Sequence, residues 1–201
     1  MRLRLVTTTM TLVVAGGLVT AHPAASGAPD GPKTIPIVVL DNSSGIAATD
    51  LAQAQGIAVR VLGRIGVRLE WLTREEFFRG QPVDVDAAKA RYRSMIYLVV
   101  ANKTDADAGH SNSSVMGTAQ GRVIWAFPTR LTERARRANV SIADVFGHVI
   151  AHELGHILLG PGAHAASGIM SATLDLVRVG TGGLWFTASE ARTIHETLAR
   201  R

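Results

Sequence analysis

The chain has 201 residues, no cysteine, 47% hydrophobic side chains and a formal charge of +5. That length suits one hydrophobic core, and the missing cysteine excludes both a disulfide-stapled scaffold and thiolate chemistry. Without Arg2 and Arg4 the charge falls to +3, too small an excess to mark a nucleic-acid partner; the densest basic stretch, Arg130 to Arg137, has no interleaved aromatics and is expected to be a solvated helix face.

Arg2 and Arg4 precede an uncharged, Thr-rich apolar run from Leu5 to Val19, shorter than the roughly 20 residues that cross a bilayer. Val19-Thr20-Ala21 supplies small residues for cleavage, so residues 1–21 are expected to be a signal peptide, with a retained N-terminal anchor as the alternative. The mature chain is then secreted or extracytoplasmic, in the periplasm or cell envelope. Later apolar stretches are interrupted by charge or glycine, and no integral span is expected in the mature chain. Residues 22–34 are rich in Ala, Pro, Gly and Ser and are expected to form a disordered spacer, leaving 35–201 as a single domain.

Within that domain, Ile37 to Leu40 is a short apolar run closed by Asp41-Asn42-Ser43-Ser44-Gly45, the pattern of a strand and turn. Thr49 or Asp50 can cap a helix whose apolar positions Leu51, Ile57, Val61, Leu62 and Ile65 fit a period of about 3.6. Val67 to Leu72 alternates as a second strand, and Met95 to Val100 is an unbroken apolar run suited to a buried one. A polar, Gly-rich stretch from Asn102 to Gly121 leads to a further strand, Val123 to Phe127, which ends at Pro128 and is expected at an edge. A long helix is expected from about Ser141 to Leu159, stopped by Gly160-Pro161-Gly162. Thr187 and Glu190 form a T-x-x-E capping box for a C-terminal helix through Ile194 and Leu198. The order of elements is that of an α+β fold: a mixed β-sheet with a helix packed on it, then a long helix and a small C-terminal helical part.

The long helix carries His152-Glu153-Leu154-Gly155-His156. In H-E-x-x-H the two imidazoles sit at i and i+4 on one helical face and can converge on one ion, with the glutamate beside them as a proton acceptor for metal-activated water. With no cysteine in the chain the ligands must be nitrogen or oxygen. Zinc accepts neutral imidazole, and a catalytic zinc site takes three protein ligands with one position left for water. His152 and His156 are therefore the expected Zn2+ ligands and Glu153 the expected general base. His164 is the preferred third ligand, because the break at Gly160 to Gly162 lets the chain turn back and His164 is the first donor on that path. Glu190 and Asp175 remain as alternatives.

The segment His152 to Met170 resembles the zincin peptidases and, within them, the metzincin group. Metzincins extend the motif as H-E-x-x-H-x-x-G-x-x-H and follow it with a methionine-containing turn beneath the metal. Here Gly160, His164 and Ser167-Gly168-Ile169-Met170 occur in the same order, but Gly160 and His164 lie four and eight residues after His156, a longer register than the group's. The resemblance implies a zincin-like fold, a secreted hydrolase of the metalloprotease type, a peptide or protein substrate, Met170 as the residue of the structural turn, and an edge strand, Ser113 to Gly117 or Val123 to Phe127, that pairs with extended substrate. Two other readings are a non-catalytic secreted module with the same fold and a zinc amidase acting on a non-peptide amide. Oligomeric state is not legible.

Of the remaining histidines, His148 is expected either on the helix surface paired with Asp144 or behind a ligand. His110 is expected in an exposed loop, and His195 is expected to be structural or exposed. Gly180-Thr181-Gly182-Gly183 lacks the strand-turn-helix context of a phosphate loop and reads as a connection.

Overall fold

The computed structural model describes residues 33–42, 45–79, 84–101 and 115–200. Twelve elements follow in order: β1 Lys33–Asp41, α1 Ala48–Gly63, β2 Val67–Thr73, α2 Arg74–Arg79, α3 Val85–Ser94, β3 Ile96–Val100, β4 Gly117–Gln120, β5 Val123–Ala126, α4 Pro128–Ala138, α5 Ile142–Leu159, α6 Leu176–Gly180 and α7 Ala188–Ala199. Five strands form one mixed sheet in the order β2-β1-β3-β5-β4. All neighbours are parallel except β4, which runs antiparallel to β5.

Alternation along β1 distributes its side chains to two layers. Ile35 and Ile37 join the main core, together with Ile96, Leu98 and Ile124 and the buried faces of α1 and α5. Val38 points the other way and packs with Phe77 of α2 and Met95. Because both faces are covered, β1 and β3 carry the near-continuous apolar runs typical of parallel strands.

α5 runs through the middle of this core. Its start is fixed by Ser141, whose hydroxyl accepts from the Asp144 backbone N–H at 3.0 Å and donates to the Asp144 carboxylate at 2.8 Å. Gly147 brings it close to α1: a Cβ there would lie 2.7 Å from the Ala54 carbonyl oxygen and equally close to Ile57 Cγ2. By length and composition α5 is also apolar enough to cross a membrane, contrary to the expectation for the later segments. Most of it is buried inside the domain, however, and its hydrophobicity is that of a core helix.

Several expected boundaries shift. β1 starts at Lys33, so the last two positions of the expected spacer belong to the sheet; residues 1–32, including the expected signal peptide, lie outside the described residues. The strand at Val123 is interior, between β3 and β4. The edge on that side is β4, formed by Gly117 to Gln120 inside the stretch that reads as a polar connection, and Ser113 lies outside the described residues. α1 begins at Ala48 with Ala47 as its N-cap and no side-chain cap; Asp50 falls in its first turn instead. The expected C-terminal helix is α7, and its capping box is complete: Glu190 accepts from Thr187 N–H at 2.7 Å while the Thr187 hydroxyl accepts from Glu190 N–H at 3.3 Å.

Candidate metal centre and cleft

α5 brings His152 and His156 onto one face, as the i, i+4 spacing requires, and their Nε2 atoms are 3.0 Å apart. His152 Nδ1 lies 2.7 Å from the Ile169 carbonyl oxygen. A carbonyl only accepts, so Nδ1 carries the proton and Nε2 is left with a bare lone pair directed at its neighbour. Such a second-sphere carbonyl is what orients imidazole toward a metal.

His164 arrives from the loop after α5. Gly160, at φ 109°, ends the helix, and Gly162, at φ 75°, turns the chain. Both values lie where a Cβ is strained, so glycine is required. His164 N–H then donates to Gly162 O at 2.7 Å, and Ala165 N–H donates to Met170 O at 2.9 Å. The longer register between His156 and His164 is thus absorbed in one glycine turn. The ligand nitrogens of His152, His156 and His164 all lie within 4.8 Å of one another and could hold a metal ion. Three imidazole nitrogens turned on one point suit zinc.

The alternative ligands are engaged elsewhere. Asp175 caps α6 by accepting from the Val177 and Arg178 N–H groups at 3.1 and 3.2 Å, and Glu190 is held in the capping box of α7. Neither belongs to the histidine group.

Met170 is fully buried against α5 at Gly155. Its sulfur occupies the space that a side chain at Gly155 would fill, so the glycine within the motif and the methionine of the following turn are complementary in shape. The turn itself is tied to the next segment: Ile169 N–H donates to Trp185 O at 3.0 Å.

Glu153 is 5% exposed. Burial pushes its carboxyl up to about 8, opposed by a hydrogen bond from the Ala119 backbone of β4. Burial likewise pushes His152 down to about 4, against the Ile169 carbonyl and with help from the neighbouring His156 and His164. His156 is lowered first by burial and then by His164. Low imidazole basicity keeps the lone pairs free for a metal near neutral pH.

The other histidines separate from this group. His148 is 2% exposed rather than on the surface, and its Nδ1 meets the Asp144 backbone carbonyl at 2.7 Å, not the carboxylate. Desolvation lowers its pKa. His195 Nε2 donates to Ile65 O at 2.6 Å and joins α7 to the α1–β2 turn. His110 lies outside the described residues.

The centre opens into a cleft of about 750 Å³. β4 forms one wall, the Gly160–Gly162 turn and His164 another, and Thr173, Leu174 and Leu176 a third. Arg134 of α4 also lines it, although the sequence places the basic stretch of that helix in solvent.

No protein-family model and no curated protein matches the sequence. Among solved structures, the chain is similar to a zinc-dependent peptidase from Methanocorpusculum labreanum, with a TM-score of 0.50 and 13% identity over 80% of this chain and 99% of that one. Other similar structures are an archaemetzincin from Methanopyrus kandleri, with a TM-score of 0.48 and 19% identity over 86% of this chain and 99% of that one, and metalloproteinase-II from Bacteroides fragilis, with a TM-score of 0.47 and 11% identity over 84% of this chain and 55% of that one. At this level of identity the first of the three establishes the fold, which is the zincin-like α+β architecture expected from the sequence.

Proposed function

We propose that the chain is a zinc-dependent metallopeptidase, exported by its N-terminal segment, with His152, His156 and His164 as zinc ligands and Glu153 as general base. The observation that carries this reading is the convergence of three imidazoles at the floor of a cleft, with a buried carboxyl beside them. Bound zinc supplies Lewis acidity to the attacking water and to the scissile carbonyl. Glu153 then does the proton work: its carboxylate takes the proton from water and returns it to the leaving amine. A carboxyl that burial keeps basic is suited to both transfers.

β4 positions the substrate. Among the described residues it pairs only with β5, so its second edge is available to an extended peptide lying in the cleft. The Ala119 backbone, on that strand, meanwhile holds the Glu153 carboxyl, which links the peptide-binding edge to the general base.

The test is digestion of denatured proteins by the purified, zinc-loaded chain, with and without a chelator. Chelator-sensitive fragments from the wild type, and none from a Glu153→Gln protein that still holds about one zinc per chain, are expected. Undiminished cleavage by Glu153→Gln removes the assignment. Zinc retained without any cleavage of peptides favours a non-catalytic module or an enzyme for another amide.

A further inference from the structure

The basic stretch of α4 divides into two pairs. Arg136 and Arg137 face solvent, and Arg137 Nη2 lies 3.5 Å from the Glu133 carboxylate. Arg130 and Arg134 are half-buried and stand four residues apart, on the flank of the face whose buried positions are Leu131 and Ala135. Arg130 is engaged: its guanidinium donates to Val115 O at 3.0 Å and lies over the Phe127 ring, tying α4 to the approach to β4. Arg134 instead lines the cleft, and its guanidinium has no hydrogen bond or ion pair among the described residues.

A guanidinium that lines a cleft and has no acceptor among the described residues is free to pair with an anion that enters it. Among the described residues the cleft supplies it with no carboxylate partner. Glu153 is the only acidic side chain lining it among the described residues, and it is turned to β4; Val115, Met116, Leu174 and Leu176 contribute apolar surface beside the hydroxyls of Thr118 and Thr173. A ligand carboxylate would satisfy Arg134 with paired charge-assisted hydrogen bonds.

We infer that Arg134 is a specificity-determining residue that receives a carboxylate of the bound peptide, either an aspartate or glutamate side chain or the terminal carboxylate. This rests on the peptidase reading of the same cleft and adds the class of peptide it takes: acidic ones, or ones presenting a free C-terminus.

Binding and turnover test it separately. Zinc-loaded Glu153→Gln protein is titrated with alanine-rich heptapeptides carrying one Glu, or Gln in its place, at each position in turn, each with a free or an amidated C-terminus. About tenfold tighter binding is expected for one member of a matched pair. A Glu/Gln difference assigns the side chain and an acid/amide difference assigns the terminus. The preference should vanish when Arg134→Gln is added and return in part with Arg134→Lys, which keeps the charge without the planar fork. Equal binding within every pair, or a preference that survives Arg134→Gln, overturns the inference. Wild-type protein that leaves every peptide intact while Arg134-dependent binding persists overturns the peptidase reading and leaves the carboxylate site standing.

Discussion

Gly155 and Met170 interlock beneath the histidines: the methionine sulfur fills the volume that any side chain at Gly155 would need, and Phe186 Cε1 closes the same space at 3.1 Å from where a Cβ would stand. The glycine of the motif is therefore a packing requirement of the turn below it. Gly155→Ala is expected to push Met170 and Ile169 away from α5 and to cost about 1–3 kcal/mol, the range for overpacking a filled core. Because Ile169 O holds His152 Nδ1, the same variant should also bind zinc more weakly. Urea unfolding and competition with a fluorescent zinc chelator measure the two effects; wild-type values in both would refute the interlock.

Metal content distinguishes the proposed ligands from their alternatives. His164→Ala is expected to leave the purified protein with well under one zinc per chain after dialysis. Asp175→Ala and Glu190→Ala should keep the metal and instead lose about 0.5–2 kcal/mol of stability, as removal of a helix cap does. Zinc lost from Glu190→Ala and kept in His164→Ala would exchange their roles.

The pH dependence of the metal-free protein follows from two buried groups with opposite signs. Glu153 rises from 4.5 to about 8 on folding, so the unfolded chain gives up that proton first. The stability it contributes is complete below about pH 4.5 and is lost as pH rises through about 8. His152 falls from 6.5 to about 4, so its contribution is complete above about pH 6.5 and is lost as pH falls through about 4. Replacing Glu153 by Gln removes the first dependence and leaves the second. In chelated samples the stability of Glu153→Gln relative to wild type is expected to climb steadily between pH 5 and pH 8, read from urea midpoints. A flat difference over that interval would contradict the buried, protonated carboxyl.

Local signals carried much of this structure in the sequence, and long-range ones did not. The i, i+4 histidines, the Ser141 start, the Gly160 stop and the Thr187–Glu190 box each depend on residues within one or two helical turns, and all were readable. β4 was not, since Gly117 is the opposite of a strand signal: it is needed because a Cβ there would lie 2.7 Å from Val149 Cγ1 and 3.0 Å from Trp125 O, contacts that exist only once α5 and β5 are in place. His148 misled for a related reason, as its burial comes from packing rather than from its polar neighbours in the chain. Arg134 looked like any other solvated arginine because the cleft it faces is assembled from distant segments.

The support of the turn carrying Met170 extends outward to Trp185. Its carbonyl accepts from Ile169 N–H, and its ring lies under Arg64, whose guanidinium carbon is 4.0 Å from the ring centroid. Arg64 belongs to the turn after α1, and the next residue, Ile65, is the one that accepts from His195. Two contacts thus fasten the C-terminal segment to the α1–β2 turn. A cation over an indole at a partly exposed site contributes about 0.5–1 kcal/mol, so Arg64→Gln should destabilise by about that amount, Trp185→Leu by more, and the double variant by less than the sum. The coupling in this cycle, measured by urea unfolding, isolates the stacked pair. Strict additivity would mean that Arg64 does not stabilise Trp185, and that the turn carrying Ile169 and Met170 depends on backbone hydrogen bonds and core packing alone.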